Sequence, residues 1–191
     1  MIKNYIYFHF FIIADLAWLD ALCYIYIMIK ILIMSDIHNF DTVAKKIIEF
    51  ENADLVISAG DNIVNQTFMI KYFDYFVDGN NDIGLNPEEI DFEFSGFNFH
   101  IEHGHLIGYN KLMNVKAMQE IANKHSANFF ITGHSHVPLI VETKNGLAIN
   151  PGSIVLARYD SDPGYVILKI DKQTNKYEYS FMKSERFLNG K

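Results

Sequence analysis

The sequence predicts a single α/β domain built around a mixed sheet. Three observations support this class: short apolar runs that end in polar residues, apolar residues at helical spacing between them, and apolar segments paired across turns. Half of the 191 residues are hydrophobic, enough for one globular domain with a substantial core. The chain has no linker, low-complexity tract or internal repeat that would divide it further.

The first predicted strand covers residues 29–34, an apolar run typical of a strand buried on both faces of a mostly parallel sheet. Asp41 is expected to cap a helix whose apolar residues recur at helical spacing up to Phe50. Residues 55–59 and 73–77 are two further apolar runs, and residues 63–72 between them are ambiguous, with an apolar face that favours a helix.

The second half of the chain adds antiparallel pairs. Residues 90–95 alternate apolar and acidic side chains and face residues 97–103 across Gly96, which makes the sheet mixed. Residues 112–122 form a second amphipathic helix, and residues 129–132 form another strand. Two hairpins are then expected, residues 138–142 with 147–150 around Asn145-Gly146, and residues 165–170 with 176–182.

Each predicted strand ends in side chains able to bind a metal ion. In open α/β sheets the functional crevice lies beyond the carboxyl ends of the strands, so these groups should converge in space. The motifs, in order, are Asp36-x-His38, Gly60-Asp61, Gly79-Asn80, His103-Gly104-His105, Gly133-His134-x-His136 and Asn150-Pro151-Gly152-Ser153.

Together these motifs resemble the calcineurin-like metallophosphoesterase superfamily, and its small single-domain bacterial and archaeal phosphodiesterases most of all. The resemblance runs from Met28 to the C-terminus, which gives residues 28–191 as the domain. It implies a four-layer α/β/β/α sandwich of two mixed sheets flanked by helices. Periodicity alone reaches only a mixed α/β domain.

The resemblance also implies two divalent metal ions and assigns their ligands. Asp36, His38 and His136 correspond to ligands of the first ion, Asn80, His103 and His134 to ligands of the second, and Asp61 to the bridge between them. This donor set of oxygen and imidazole nitrogen without thiolate suits Mn²⁺, Fe, Zn²⁺ or Ni²⁺. Mn²⁺ is the expected ion, with Ni²⁺, Fe, Zn²⁺ or Mg²⁺ as alternatives. A hydroxide bridging the two ions would attack phosphorus in line, without a phosphoenzyme.

The expected catalytic residues besides Asp61 are Asn81 and His105. Many relatives of the superfamily carry a proton-donating His where this chain has Asn81, and an amide cannot be a general acid near neutral pH. His105 either assists the leaving group or hydrogen-bonds a loop, and Asp82 either orients Asn81 or a water, or caps a turn. Arg158 stands where relatives often carry an Arg, and it could contact substrate phosphate bidentately, but it is left out of the predicted catalytic set.

Other features are expected to be structural. Residues 150–153 should form a tight turn near the metals, and three histidines outside the motifs should be structural or solvent-exposed: His9, His100 and His125. The specificity loops are expected at residues 82–89 and 108–114, and they carry no readable code for the substrate.

The expected function is therefore a metal-dependent phosphoesterase acting on a small phosphodiester rather than a monoester. The alternative is a protein-interaction scaffold of the same fold, like a retromer subunit, with little or no turnover. A net charge of −7 argues against an extensive nucleic-acid interface. The single cysteine, Cys23, cannot form an internal disulfide, so the reducing cytoplasm is the expected location. Self-association into a homo-oligomer is left open.

Residues 1–27 fall outside the family pattern. They are apolar and aromatic, but Asp15 and Asp20 interrupt a membrane span, and no signal-peptide cleavage site is present. Met28 stands where proteins of this family usually begin, so residues 1–27 are expected to be translated leader or an artefact of start assignment. A helix that packs on the domain and a membrane anchor are the alternatives, and intact mass of the native protein decides among them.

Overall fold

A computed structural model describes residues 28–188, which form two five-stranded sheets stacked face to face. The strands are β1 (Met28–Met34), β2 (Leu55–Ser58), β3 (Tyr75–Phe76), β4 (Glu89–Phe94), β5 (Phe97–Glu102), β6 (Phe129–Ile131), β7 (Leu139–Glu142), β8 (Leu147–Asn150), β9 (Gly164–Asp171) and β10 (Lys176–Lys183). The helices are α1 (Asp41–Glu51), α2 (Gln66–Tyr72), α3 (Tyr109–Leu112), α4 (Val115–Ala122) and α5 (Glu185–Leu188).

Both sheets are mixed. The first has the order β10-β9-β1-β2-β3, in which β1, β2 and β3 are parallel and β9 and β10 are antiparallel. The second has the order β4-β5-β6-β8-β7, with β5, β6 and β8 parallel and an antiparallel strand at each edge. The carboxyl ends of the parallel strands carry the predicted metal motifs, so the topology places those motifs at strand ends.

Three apolar clusters hold the layers together. One lies between the sheets and contains Ile31, Ile57 and Phe99 among others. The second packs the other face of the first sheet against α1 and α2, and the third packs the second sheet against α3 and α4. This arrangement confirms the predicted four-layer sandwich. Successive side chains of a strand point to opposite faces of its sheet, and along β5 the residues Phe97, Phe99 and Ile101 face the core between the two sheets.

A buried polar cluster ties the C-terminal α5 to the first sheet. Glu51, at the end of α1, lies 2.6 Å from Lys30 Nζ and accepts a hydrogen bond of 2.5 Å from the Tyr165 hydroxyl. Arg186 of α5 lies 3.5 Å from the same carboxylate. Burial and the Glu51 contact raise the pKa of Tyr165 to about 12. The sequence did not predict α5.

Three local predictions differ from the structure. The predicted helix over residues 112–122 is divided into α3 and α4, because the Asn114 side chain caps α4 by accepting a hydrogen bond of 3.0 Å from Ala117 N. Asp41 lies inside the first turn of α1, and Phe40 occupies the cap position without a side-chain bond. The run over residues 73–77 contributes only the two residues of β3.

The predictions for residues 1–27 lie outside the described residues. Among residues 28–188, no helix is both long and apolar enough to cross a bilayer.

Candidate metal centre

Six of the seven predicted ligands meet at one edge of the sandwich, where strands of both sheets end. Asp36 and His38 follow β1 and Asp61 follows β2 in the first sheet, whereas His103 follows β5 in the second. His134 and His136 follow β6 in the second sheet. The structure brings these six side chains into two adjoining groups of three.

The first group is Asp36, His38 and His136, whose ligand atoms all lie within 4.8 Å of one another. His136 Nε2 is 3.2 Å from Asp36 Oδ1 and 3.1 Å from His38 Nε2. His38 Nε2 is 3.8 Å from Asp36 Oδ1. Three donor atoms at such separations can surround one ion.

The second group is Asp61, His103 and His134, with the same limit of 4.8 Å between ligand atoms. His103 Nε2 lies 3.4 Å from Asp61 Oδ2, and the same carboxylate oxygen lies 3.7 Å from His38 Nε2 of the first group. Asp61 therefore stands between the two groups, which is the position that a bridging ligand needs.

The polar atoms at the centre are suited to hold a cation. His103 and His136 each place Nδ1 against a backbone carbonyl, at 2.7 Å from Ala59 O and 2.6 Å from Leu156 O. Because a carbonyl only accepts, each Nδ1 carries the proton and each Nε2 is left with a lone pair, the usual arrangement of a metal-binding His.

Within the described part of the chain, two buried atoms at the centre have no hydrogen-bond partner, Asp36 Oδ1 and His103 Nε2. His136 Nε2 is near Asp36 Oδ1 but lacks the orientation of a hydrogen bond. A buried polar atom without a partner costs about 1–3 kcal/mol, and a cation would remove this cost. The residues present therefore fit a pair of divalent ions.

The ionisable groups of the centre influence each other's pKa. Burial raises the pKa of Asp36, but contacts with His136 and His38 outweigh it and leave the pKa below its ordinary value. Asp61 behaves alike, since hydrogen bonding to His103 overcomes burial and lowers its pKa. The reverse holds at His103, where Asp61 overcomes burial and raises the pKa. Burial and the neighbouring His103 lower the pKa of His134.

The backbone at the centre is unusual. Five of the predicted ligands have a left-handed φ: Asp36 (52°), His38 (47°), Asp61 (52°), His134 (67°) and His136 (59°). Non-glycine residues adopt this conformation uncommonly, although Asp and His do so more readily than most. Such conformations concentrate at functional sites, where the surrounding structure holds them in place.

Hydrogen bonds around Asp36 hold its carboxylate in position. Ser35 Oγ donates to Asp36 Oδ2 at 2.8 Å, and His134 N donates to the same oxygen at 3.0 Å. Ser153 Oγ donates to the Asp36 backbone carbonyl at 2.7 Å. A Cβ on Gly133 would lie 1.8 Å from Ser35 Oγ, so only glycine fits between the two motifs.

The turn over residues 150–153 supports the second histidine motif. Asn150 Nδ2 donates to Gly133 O at 2.6 Å, and Asn150 Oδ1 accepts from Gly152 N at 2.9 Å. The structure thus places this turn beside the centre, where it supports the loop that carries His134 and His136.

The asparagine motif contacts the centre through Asn81. Its N and Nδ2 donate to the Asp61 carboxylate at 2.8 Å and 2.6 Å, whereas Asn80 is exposed at the same turn. Asp82 accepts from the backbone N–H groups of Gly79 (2.8 Å) and Ile63 (2.8 Å). Of the two interpretations of Asp82, these bonds favour the turn cap.

Three side chains line the approach to the second group. The His105 ring lies 5.8 Å from that of His103, and its buried Nδ1 has no hydrogen-bond partner. The Tyr109 ring packs 4.4 Å from that of His134, and the Arg158 guanidinium donates to the Tyr109 hydroxyl. No sequence pattern singled out Tyr109, which belongs to a loop predicted only as a specificity segment.

Comparisons with known proteins agree with this geometry. Residues 29–173 match the model of the calcineurin-like phosphoesterase superfamily domain. The chain is 34% identical over 133 residues to a probable metallophosphoesterase of Mycoplasma pneumoniae, covering 69% of this chain and 82% of that protein.

Solved structures show the same fold. A conserved uncharacterized protein of Streptococcus pneumoniae, a predicted phosphoesterase, superposes with a TM-score of 0.70 at 24% identity, covering 83% of this chain and 91% of that one. Vacuolar protein sorting 29 of Cryptosporidium parvum superposes with a TM-score of 0.61 at 14% identity, covering 82% of this chain and 98% of that one. An archaeal phosphodiesterase superposes with a TM-score of 0.58 at 23% identity, covering 81% of this chain and 100% of that one.

Proposed function

Because the chain belongs to the calcineurin-like phosphoesterase superfamily, we propose that it hydrolyses phosphodiesters with the help of two divalent metal ions. The observation that carries the proposal is the pair of three-ligand groups joined through Asp61, whose carboxylate reaches both His103 and His38. An isolated ligand group would indicate one ion, whereas two groups that share a carboxylate suit an in-line displacement at phosphorus.

Seven side chains would hold the ions, the six of the two groups and that of Asn80. We assign Asp36, His38 and His136 to the first, His103 and His134 to the second with Asn80, and Asp61 to both. The ions, when bound, would lower the pKa of a water and neutralise the charge that builds on the phosphate oxygens. We propose Mn²⁺ as the ion, although the donors, which are imidazoles, carboxylates and an amide without thiolate, suit Fe, Zn²⁺ or Ni²⁺ as well.

Asn81 and His105 would have different roles. Asn81 donates two hydrogen bonds to Asp61 and holds the carboxylate toward both groups. It has no proton to release near neutral pH. His105 lies next to His103 and has a buried nitrogen without a partner, so we assign it the task of assisting the leaving group.

We propose that the substrate carries an organic group on each side of the phosphate. Ile83 and Leu85 are exposed in the loop after Asn81, and Arg158 donates to Tyr109, whose ring packs against that of His134. Apolar side chains can contact the two ester groups, and Arg158 can bind phosphate oxygens. A diester has two such groups, and a solved structure of this fold is a phosphodiesterase, which supports the diester preference.

The test is hydrolysis of bis(4-nitrophenyl) phosphate beside 4-nitrophenyl phosphate, using the full chain first freed of metal and then supplied with Mn²⁺. The diester should be cleaved faster, and Asp61→Asn should abolish turnover because it removes the shared carboxylate charge. The matched control is Glu49→Gln, which makes the same chemical change on the exposed face of α1. Metal-independent turnover, or equal activity in Asp61→Asn, would refute the proposal.

The scaffold alternative receives less support. A scaffold needs the fold but not the ligands, and vacuolar protein sorting 29 shares this fold at only 14% identity. Here side chains competent to bind metal fill both groups. Binding of two ions without cleavage of either ester would favour the scaffold.

A further inference from the structure

A second cluster of metal-binding side chains lies outside the centre, on the face of the second sheet that packs against α4. His100 and Glu102 are two residues apart on β5 and point to the same face. Asp91 lies directly opposite His100 on β4. His125, from the loop after α4, covers the cluster with its ring 4.3 Å from that of His100.

His100 has the environment of a metal ligand. It is 2% exposed, and its ring stacks on Phe130 with the centroids 5.2 Å apart. His100 Nδ1 lies 2.9 Å from Asp91 Oδ1, so Nδ1 carries the proton and Nε2 keeps a lone pair. A carboxylate that fixes the imidazole in this way is the common second partner of a metal-bound His.

The other nitrogen of His100 has no hydrogen-bond partner among residues 28–188. Nε2 is buried and faces Glu102 Oε1 at 4.0 Å. Two acceptors facing each other at this distance repel unless a proton or a metal cation lies between them. A tetrahedral zinc ion with bonds of about 2 Å holds its ligand atoms about 3.4 Å apart, somewhat closer than this gap.

His125 supplies the third donor. The ligand atoms of His100, Glu102 and His125 all lie within 4.8 Å of one another. A tetrahedral ion needs separations of about 3.4 Å, so the two partly exposed members would move inward by about 1 Å while His100 stays fixed. Burial and the nearby His100 lower the pKa of His125.

The charge of the surroundings favours a cation. Glu89 pairs with Glu102 across β4 and β5, and Asp91 pairs with His100, so two carboxylates lie beside the cluster in addition to Glu102 itself. Lys124 lies next to His125, but its single positive charge does not outweigh the negative charge of these carboxylates.

We propose that His100, Glu102 and His125 form a third divalent-metal site, separate from the dinuclear centre, that binds Zn²⁺ with Asp91 orienting His100. Two imidazoles and one carboxylate are zinc ligands that leave a fourth position for water. The site joins the loop after α4 to β5, so the ion would stabilise this side of the sandwich. The proposal does not depend on the reaction at the dinuclear centre.

The test counts zinc ions on the full-length chain by equilibrium dialysis and elemental mass spectrometry. The wild-type chain should bind one equivalent more than His125→Gln, and that equivalent should be lost without change in the Mn²⁺-dependent hydrolysis of the diester. Because His125 is partly exposed, the variant should fold, which circular dichroism verifies.

Two further variants distinguish a specific effect on the zinc site from a general loss of negative charge. Asp91→Asn should keep the third equivalent at saturation but bind it 10–100-fold more weakly, the usual effect of removing the partner of a metal-bound His. Glu93→Gln removes another exposed carboxylate of β4 and should bind zinc like the wild type. Equal zinc content in wild type and His125→Gln, or equal weakening by Glu93→Gln and Asp91→Asn, would overturn the proposal.

Discussion

Replacing Gly79 by alanine should damage the metal centre more than the fold. A Cβ on Gly79 would lie 2.3 Å from Asp61 Oδ1 and 2.5 Å from Asp61 N. Ordinary contacts of a methyl group are about 3.4 Å or longer, so the carboxylate or its loop must move by about 1 Å. Because one of the two atoms belongs to the backbone, a change of rotamer cannot relieve the clash.

The expected effect on catalysis is large. A misplacement of about 1 Å in a reacting group can cost roughly 10²-fold, so kcat/KM for bis(4-nitrophenyl) phosphate should fall by about that factor in Gly79→Ala. Overpacking should lower the free energy of unfolding by about 1–3 kcal/mol, which leaves the variant folded at 25 °C in a domain of ordinary stability. Activity with saturating Mn²⁺ and urea unfolding measure the two effects separately.

The matched control is Gly96→Ala in the turn between β4 and β5. Gly96 has a φ of 80°, and within residues 28–188 no atom lies within 4 Å of the added methyl, so alanine strains the backbone there without a clash. This variant should lose about 1–2 kcal/mol of stability and keep its activity. The reasoning is refuted if Gly79→Ala retains kcat/KM within about threefold of wild type, or if both variants lose activity equally.

Three further predictions follow from the contacts around the centre and in the core. Ser35→Ala removes a hydrogen bond to Asp36 and should weaken metal binding 10–100-fold in a competition titration, whereas unchanged affinity would mean that the bond does not orient the carboxylate. Metal removal by chelation should lower the free energy of unfolding by about 2.7 kcal/mol for each bound ion, relative to protein at 100 times Kd, measured by urea unfolding, and an unchanged midpoint would contradict binding to the native state. Tyr165, with its pKa raised to about 12, ionises first in the unfolded chain, so stability should fall by up to about 2 kcal/mol between pH 10 and 12. Tyr165→Phe should lack this alkaline component, and an identical pH profile for both proteins would rule it out.

The motifs at strand ends were predictable because two sequence signals coincide there. An apolar run such as residues 29–34 indicates a buried strand, and the polar residues directly after it must lie at the sheet edge, as Asp36 and His38 do. Distance along the chain does not matter for this inference, since parallel strands end at the same edge. The hairpin of β9 and β10 was predictable from local turn residues, and the pairing confirms it.

Contacts that depend on side-chain direction were not predictable. The sequence does not show that Asn81 rather than Asn80 would donate to Asp61, because the turn is held by backbone bonds to Asp82. Nor does it show that His125 would cover His100, since no repeat or motif links a loop residue to the middle of a strand. The break between α3 and α4 had a readable signal in Asn114, a preferred cap residue within an apolar pattern.

The left-handed residues of the centre mean that catalysis and stability make opposite demands on the same positions. Each such residue costs roughly 1–3 kcal/mol, and glycine adopts the same conformation without that cost. Glycine at Asp36, His38, Asp61, His134 or His136 would therefore relieve backbone strain while removing a ligand. A lineage released from selection for hydrolysis should accumulate glycine at these five positions and become a more stable, inert version of this fold.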